Sequence, residues 1–281
     1  MGSVAYLAAS GFTRSGILAR PIITLTTDYG TNDHLVGVMK GVILSINPEV
    51  QIIDITHGVL PHDILDGALT IGQAYKYFPP KTIHIVVVDP GVGTVRRPIL
   101  VASDQHYFVA PDNGVLSSVY DQTEALYVWN LISEHYFRQP VSKTFHGRDI
   151  FAPVAAWLSK SWQSSAFGEQ ITDFTRFSIP KPKAAGNAMK GVVLRIDQFG
   201  NLITNFRVDD VPALAAGDGK CKINAGKAVI TKVVSTFAEG ANGEPVGVIG
   251  SSGYLEICVN KTSAARALGI GRGAEVTVET A

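Results

Sequence analysis

An alternation of short apolar segments with helical patterns between residues 22 and 88 constrains this chain's fold most strongly. Residues 22–26, 50–55 and 83–88 are rich in β-branched residues and are predicted to be strands. Between them, apolar side chains recur at helical spacing over 35–46 and 60–77, and each pattern ends at an Asn-Pro or Pro-Pro dipeptide. The unbroken apolar third strand is typical of a parallel sheet covered on both faces. This part of the chain is therefore predicted to be a layered α/β domain.

The pattern changes towards the end of the chain. Further strands at 99–102, 107–110 and 125–129 and a helix over 148–158 are followed by a Pro-containing segment at 179–186, which suits an extended spacer. Short strands separated by turn residues then follow at 192–196, 222–224, 229–234, 246–250, 254–259 and 274–278. The predicted fold class is an α/β N-terminal domain with a layered, mostly parallel sheet, followed by a smaller all-β, barrel-like C-terminal domain. The expected divisions are a leader at 1–20, the α/β domain at 21–180, a linker at 181–190 and the β domain at 191–281.

The first twenty residues contain two arginines, several small residues and no acidic residue. A transit peptide or a weak secretory signal shares this composition. Polar residues interrupt the apolar stretch, however, so an unstructured leader is expected.

Composition excludes several classes of protein. The 24 Lys and Arg residues balance 24 Asp and Glu residues, whereas a protein that neutralises many phosphates carries a basic excess, so nucleic acid is not an expected partner. No apolar run approaches the roughly 18 residues that span a bilayer, and two cysteines are too few for a disulfide scaffold. The seven histidines show no metal-ligand spacing. We expect a soluble, cytoplasmic protein without a metal site.

Acidic residues flank the turn after the first predicted strand. Ligands of open α/β sheets bind where strands end, which makes Asp28 and Asp33 candidates for ligand contacts. Asp33 has an alternative role as the cap of the following helix. Asp28 precedes the cap region, so a ligand role is favoured for it.

A Gly-rich turn after the third strand carries Asp89 at its start and Arg96 near its end. Its glycines let the backbone approach a ligand closely, but it matches neither the phosphate-binding loop nor the dinucleotide fingerprint. The acid and the arginine form either a ligand site or a plain ion pair. His146 stands at the entry of a predicted helix, where it is either a structural histidine or an accessible imidazole.

One turn of the predicted β domain combines Asp197, Phe199 and Asn201. These residues supply a carboxylate, an aromatic face for stacking and an amide that suits the edge of a base such as adenine. The alternative is a hairpin turn held by local side-chain bonds.

Six ordered motifs give the chain a family resemblance. They are Asp28-Tyr29-Gly30-Thr31-Asn32-Asp33, Asp89-Pro90-Gly91-Val92-Gly93-Thr94, Ala110-Pro111-Asp112-Asn113-Gly114, Phe145-His146-Gly147-Arg148-Asp149, Asp197-Gln198-Phe199-Gly200-Asn201-Leu202 and Gly250-Ser251-Ser252-Gly253-Tyr254-Leu255-Glu256. In this order they resemble the S-adenosyl-L-methionine hydroxide adenosyltransferases, which are related to the fluorinase and chlorinase enzymes. The resemblance runs from about residue 22 to the C-terminus.

The resemblance implies a homotrimer with sites between subunits that hydrolyses S-adenosylmethionine to adenosine and methionine without a cofactor. It implies that the catalytic residues are Asp89, Arg96 and His146. It places a ribose-binding acid at Asp28 and nucleoside or methionine contacts at Asp197, Asn201, Ser251 and Glu256, with the backbone near Val259 reading adenine. The remaining predicted substrate contacts are Asp33, Asn113, Phe199 and Tyr254. Arg96 is expected to stabilise negative charge on a water oxygen, and His146 or Asp89 to accept its proton.

Two other functions stay open, a halogenase that makes a 5′-halo nucleoside and a non-catalytic sensor of S-adenosylmethionine or adenosine. The fluorinase has a tyrosine at the position of Asp89, a serine at Gly147 and an arginine at Ser252, and an insertion after Arg97 that this chain lacks. The chain therefore departs from the halogenating enzymes where their nucleophile lies. A sensor has no need of Arg96 and His146 beside Asp89, which favours the hydrolase.

Overall fold

The computed structural model describes residues 20–215 and 219–280. The chain divides into two compact units. The first comprises the described residues up to His62 with Tyr77–Asp112 and Thr123–Phe174, and the second comprises Asp63–Lys76, Asn113–Gln122 and the described residues from Thr175 onward. The predicted leader lies outside the described residues, apart from Arg20. In the described ranges, no helix has the length and apolar character needed to cross a bilayer.

The first unit is built on a seven-stranded mixed sheet. Its strands are β1 (Ile22–Thr27), β2 (Gln51–Thr56), β3 (Ile83–Val87), β4 (Pro98–Ala102), β5 (Tyr107–Pro111), β6 (Tyr127–Leu131) and β7 (Gly168–Ile171). They lie in the order β2-β1-β3-β5-β4-β6-β7, parallel from β2 to β5 and antiparallel from β5 to β7. All residues of β3 are buried between two parallel neighbours, as its unbroken apolar sequence predicts.

The helices of the described chain are α1 (Leu35–Ile46), α2 (Ile64–Ala74), α3 (Ser117–Tyr120), α4 (Ala152–Leu158) and α5 (Ala264–Leu268). Helices α1 and α4 belong to the first unit and pack with its sheet in one apolar core. A π-helical turn at Gly147–Phe151 leads into α4, where a regular helix from residue 148 was expected. The cap role considered for Asp33 is wrong, because the N-cap of α1 is His34, which makes no side-chain cap bond.

The second unit contains a nine-stranded sheet with a barrel-like form. Its strands are β8 (Lys183–Ala185), β9 (Ala188–Ile196), β10 (Leu202–Arg207), β11 (Cys221–Ala225), β12 (Ala228–Ile230), β13 (Val233–Val234), β14 (Pro245–Ile249), β15 (Tyr254–Val259) and β16 (Glu275–Thr280). Their order is β12-β11-β16-β9-β10-β15-β14-β13, and β8 pairs with β9. The predicted combination of an α/β part and a barrel-like β part is confirmed.

Helix α2 starts later than its apolar pattern predicts and packs in the second unit. Asp63 caps it, with the Asp63 Oδ1 accepting a hydrogen bond from the Asp66 N–H at 2.9 Å. Its Leu69 packs against Leu194, Ile203 and Tyr254 of the β sheet. The spacing of apolar residues shows which face of a helix is buried but not which sheet covers it. The packing of α2 on the β sheet of the second unit could therefore not be predicted.

Two strands of the second unit lie where the sequence predicts none. The proposed spacer includes β8, which pairs with β9. Strand β10 lies in a segment predicted only as a turn, because its polar Thr204 and Asn205 interrupt the apolar pattern. Both are buried and hydrogen-bonded, the Asn205 Oδ1 accepting the Val192 N–H at 2.8 Å and the Thr204 hydroxyl donating to the Leu255 carbonyl at 2.7 Å.

Candidate active site

The first unit brings three predicted site residues into one hydrogen-bonded cluster. The Arg96 guanidinium faces the Asp89 carboxylate with two nitrogens: Nε donates to Oδ1 at 2.9 Å, and Nη2 donates to Oδ2. The same Nη2 donates to Nδ1 of His146 at 2.7 Å. The side chains of Arg96 and Asp89 are only 9% and 5% exposed, so the pair is far more protected than a surface ion pair. The guanidinium thus joins Asp89 to a histidine 50 residues further along the chain than Arg96 itself.

A tight turn between β3 and β4 aims Asp89 and Arg96 at each other. The Val92 N–H donates to the Asp89 carbonyl and the Thr94 N–H to the Gly91 carbonyl, each at 3.2 Å. Gly93 has φ +74°, and a Cβ there would lie 2.1 Å from the Lys143 carbonyl oxygen. Only glycine permits both this conformation and this approach, which places the turn beside the segment that carries His146.

The bond from Arg96 fixes the tautomer of His146. A guanidinium has no acceptor, so Nδ1 of His146 accepts, and the neutral ring carries its hydrogen on Nε2. Burial and the positive charge of Arg96 lower the pKa of His146 below its usual value, although Asp89 and Asp149 act in the opposite direction. At neutral pH the imidazole is therefore a hydrogen-bond donor at Nε2.

One nitrogen of the cluster is available to a further group. The Nη1 atom of Arg96 is buried and has no hydrogen-bond partner among the described residues. An unmatched buried donor costs about 1–3 kcal/mol. An oxygen that reached this nitrogen would recover the bond.

A second loop of the same unit, after β1, carries Asp28 and Tyr29. The Asp28 Oδ2 accepts the His62 N–H at 2.9 Å. The Tyr29 ring meets Phe145 edge-on at 6.0 Å, and its hydroxyl lies so close to Gly147 that a Cβ there would be 2.7 Å away. Burial, with Asp28 and Asp89 adding to it, raises the pKa of Tyr29, so the phenol stays protonated. Predicted Asp33 is exposed in this loop.

The second unit contains a cavity of about 890 Å³ that collects most of the other predicted residues. Those that line it are Asp197, Phe199, Asn201, Ser251, Glu256 and Val259. The Asp197 Oδ1 accepts the N–H groups of Phe199 and Asn201 at 2.9 and 2.8 Å, and its Oδ2 accepts the Asn201 side-chain amide at 2.8 Å. The turn is thus held by local bonds, and it also lines a cavity. The Phe199 ring is 78% exposed, which leaves its face available for stacking.

Glu256 is a buried carboxyl at the edge of this cavity. Burial, reinforced by the charge of Asp197, raises its pKa. A Cβ on Gly250 would lie only 1.9 Å from the Glu256 Oε1, so the carboxyl fits here because residue 250 is a glycine. The lining also carries Lys261 and Arg266, so the cavity offers two acids and two bases to a ligand that has both charges.

Two predicted contacts lie elsewhere in the second unit. The Tyr254 ring does not line the cavity; the Arg207 guanidinium stacks over it at 4.1 Å from the ring centroid. The side-chain oxygen of Asn113 accepts the Val115 N–H at 3.1 Å. Their roles in substrate binding stay predictions.

Sequence reasoning missed several residues that line the cavity or approach Asp28. In the cavity they include Ser235, Phe237, Asn260, Lys261, Thr262, Ser263 and Arg266. Arg266 belongs to α5 and the others lie in the connections before β14 and after β15, where only the capping serine before α5 has a recognisable pattern. The residue that approaches Asp28 is His62, whose φ of +65° places its N–H against the Asp28 carboxylate. Among the described residues, no group of three or more His, Cys, Asp or Glu side chains is arranged to hold a metal ion.

The chain thus combines an α/β unit that holds a partly buried Asp–Arg–His cluster with a barrel-like β unit that contains a ligand-sized cavity. The chain belongs to the SAM hydroxide adenosyltransferase family: the family's N-terminal domain model matches residues 23–168, and its C-terminal domain model matches residues 191–277.

Individual relatives agree with this assignment. The (R)-S-adenosyl-L-methionine hydrolase of Methanocaldococcus jannaschii is 35% identical over 258 residues, covering 89% of this chain and 92% of that protein. A crystal structure of an uncharacterized conserved protein from Thermotoga maritima superposes with a TM-score of 0.85 at 36% identity, covering 91% of this chain and 99% of that one. A fluorinase of Actinoplanes sp. (strain N902-109) is 29% identical, covering 93% of this chain and 98% of the fluorinase.

Proposed function

We propose that this protein hydrolyses S-adenosyl-L-methionine to adenosine and L-methionine, by in-line attack of a water or hydroxide oxygen on C5′ of the nucleoside. The observation that carries the proposal is the Arg96 guanidinium, which bonds to both Asp89 and His146 and keeps a buried donor for a ligand oxygen. The relatives named as hydrolases support the choice of substrate.

The charge of the substrate explains why three side chains are enough. The sulfonium makes methionine thioether a neutral leaving group, so no general acid is needed at sulfur and no cofactor is proposed. Attack by hydroxide on a sulfonium neutralises opposite charges, and a site that excludes water favours such a reaction. What the site must supply is an oxygen in line with C5′ and a place for its proton, because the pKa of free water lies far above neutral pH.

The hydrogen bonds of the cluster support one division of these tasks. We propose that Arg96 Nη1 and His146 Nε2–H donate to the attacking oxygen and stabilise its developing charge. The expected use of His146 as the base does not fit its tautomer, because the Nδ1 lone pair is already taken by Arg96. Each oxygen of Asp89 keeps a lone pair beyond its bond to Arg96, so Asp89 is the proposed proton acceptor.

The rest of the substrate is proposed to bind Asp28 through the ribose hydroxyls and the residues of the second unit's cavity. There Asp197 and Glu256 suit the methionine ammonium, Asn201 and Phe199 suit the base, and Ser251 and the backbone near Val259 complete the set. We further propose a homotrimer with sites at subunit interfaces, as the family resemblance implies. A cytoplasmic location is proposed because both cysteines, Cys221 and Cys258, are free and buried.

Incubation of the purified protein with S-adenosylmethionine in ¹⁸O-labelled water tests the proposal. We expect adenosine and methionine in equal amounts, with the label in the 5′-hydroxyl. A 5′-halo nucleoside formed when chloride or fluoride is added identifies a halogenase instead. Tight binding without adenosine release over hours identifies a sensor.

Replacing Arg96 tests its assigned role. Arg96→Ala removes donors to the attacking oxygen, and we expect turnover to fall about 10²–10³-fold, with a smaller change in substrate affinity. Arg176→Ala is the matched control, because Arg176 is an exposed arginine of the second unit that pairs with Asp121 at 3.1 Å. Normal turnover in Arg96→Ala contradicts the assignment.

A further inference from the structure

A buried histidine in the first unit lies behind the loop that carries Asp28 and Tyr29. His57 is 6% exposed, and its Nδ1 lies 2.8 Å from the Thr27 hydroxyl oxygen. That oxygen accepts the Tyr29 N–H at 3.2 Å. The backbone of His57 adds a second contact, its carbonyl accepting the Gly30 N–H at 2.8 Å. Side chain and main chain of His57 therefore hold two consecutive amides of one loop.

The other side of the imidazole faces an anion. Its Nε2 lies 3.1 Å from the Asp54 Oδ1, and the Asp54 Oδ2 accepts from Lys40 Nζ at 2.6 Å. Although partial burial acts in the opposite direction, the hydrogen bonds from Lys40 and His57 lower the pKa of Asp54. An ionised carboxylate at this place favours the tautomer with hydrogen on Nε2.

The directions of these bonds form one consistent chain. Thr27 accepts the Tyr29 N–H, so its own hydrogen is free to point at Nδ1 of His57. Nδ1 then accepts, and Nε2 carries its hydrogen on the side of Asp54, 3.1 Å from Oδ1, in a charge contact whose geometry falls short of a full hydrogen bond. A polar chain from Lys40 to the Tyr29 amide thus runs through a residue that touches none of the proposed reacting groups.

The same histidine also begins the segment that contacts Asp28 from the other side. Residues 57–62 lead from His57 to His62, whose N–H donates to the Asp28 carboxylate at 2.9 Å. His57 therefore holds the loop that carries Asp28 through hydrogen bonds. It is also linked through the backbone to His62, whose N–H donates to the Asp28 carboxylate. From this arrangement we infer that His57 is a positioning residue, which holds the Asp28 carboxylate in place for the nucleoside hydroxyls. The inference rests on the proposed function.

Two amide variants test the Thr27 contact and the Asp54 contact of His57 separately. His57→Asn places an amide near the position of Nδ1, within reach of Thr27, whereas His57→Gln places it near Nε2, towards Asp54. We expect His57→Gln to raise the KM for S-adenosylmethionine and the Kd for adenosine about tenfold, while kcat changes less than about threefold. His57→Asn recovers most of that loss, because it keeps the bond that fixes the loop.

Variants of Thr27, whose hydroxyl contacts His57, give an independent test. Thr27→Val keeps the shape of the side chain but loses the hydroxyl, and it should raise KM as His57→Gln does. Thr27→Ser keeps the hydroxyl and should stay within about twofold of the wild type. His135→Gln, at an exposed histidine, is the control for the loss of an imidazole.

Binding and stability are measured alongside turnover. Adenosine binding by calorimetry, thermal unfolding and amide hydrogen exchange of Tyr29 and Gly30 are compared for all variants. If His57→Gln lowers the unfolding temperature but leaves KM, adenosine affinity and amide exchange unchanged, His57 is only a structural residue and the inference is overturned. A wild type that binds adenosine but releases none from S-adenosylmethionine overturns the proposed function alone, since the binding comparison still decides the role of His57.

Discussion

At the scale of single residues, the bond between Arg96 and His146 decides what the imidazole can do. A histidine beside an acid is commonly a base, but here the only lone pair of the neutral ring is occupied by a guanidinium donor. In the proposed mechanism, Arg96 Nη1 and His146 Nε2–H instead serve as two donors to one oxygen. Asp89 balances the charge of the arginine and keeps acceptor capacity for a proton.

The pH dependence of turnover tests this residue-scale argument. Because burial and Arg96 lower the pKa of His146, the ring is neutral at pH 7 and takes a second proton only at a pH below its usual pKa. That proton enters at Nδ1 and breaks the bond from Arg96. We expect kcat/KM to be constant near neutral pH and to fall as the pH drops, with a midpoint below about 6.5.

His146→Asn is the matched variant for the pH profile. Its amide oxygen can accept from Arg96, and the side chain does not titrate between pH 4 and pH 8. Its kcat/KM should be lower at neutral pH and should lose the acid limb seen in the wild type. An identical acid limb in His146→Asn contradicts the assignment of that limb to His146.

At the scale of elements, Gly93 allows two loops that are distant in sequence to pack closely together. The turn between β3 and β4 approaches the Lys143 carbonyl at Gly93, and the segment after Lys143 carries His146 into the π-helical turn before α4. The buried Asp149 carboxylate accepts the Ser142 N–H at 2.9 Å and the Arg148 guanidinium at 2.7 Å, which fixes this segment. The cluster therefore depends on backbone packing as much as on its own side chains.

Gly93→Ala tests the element-scale argument. The added methyl meets the Lys143 carbonyl and is strained at φ +74°, so the two loops must separate. A misplacement of about 1 Å costs about 10²-fold in rate, and the strain costs about 1–3 kcal/mol in stability. Gly41→Ala is the control, since a Cβ there, inside α1, meets no atom within 4 Å and should leave turnover unchanged. Equal activity and equal unfolding temperature in the two variants contradict the close approach.

At the scale of the whole molecule, the proposed residues divide between the two units. Asp28, Asp89, Arg96 and His146 belong to the first, and Asp197, Asn201, Ser251 and Glu256 to the second. The proposed homotrimer assigns them to sites at subunit interfaces, where one site takes groups from two copies of the chain. The oligomeric state is therefore part of the proposed mechanism.

Mixed oligomers test this assembly. Light scattering should give a mass about three times the 30.0 kDa of the chain. Arg96→Ala and Asp197→Asn should each be nearly inactive alone. Co-expressed in equal amounts they should recover about a quarter of the wild-type activity, because random trimers regain one intact site whenever both variants are present. No recovery in verified mixed trimers contradicts sites shared between subunits.

Much of the architecture was predictable because it follows from local patterns. The buried strand β3, the alternation of strands and helices around it and the short strands of the barrel-like unit all have a periodicity that identifies them. Strand β10 was not predictable, because Asn205 and Thr204 are residue types typical of turns although both are buried here. The sheet on which α2 packs was not predictable either, because an apolar helical face can cover any apolar sheet.

For the candidate site, local patterns along the chain predict the residue types: an acid and an arginine around a Gly-rich turn, a histidine at a helix entry and an Asp–Phe–Asn turn. The tertiary structure decided their relations. It placed the Arg96 donor on Nδ1 of His146, left Nη1 of Arg96 without a partner among the described residues and put His57 behind the Asp28 loop. The physical reason is that hydrogen-bond direction and burial depend on contacts between distant segments, which spacing along the chain does not encode.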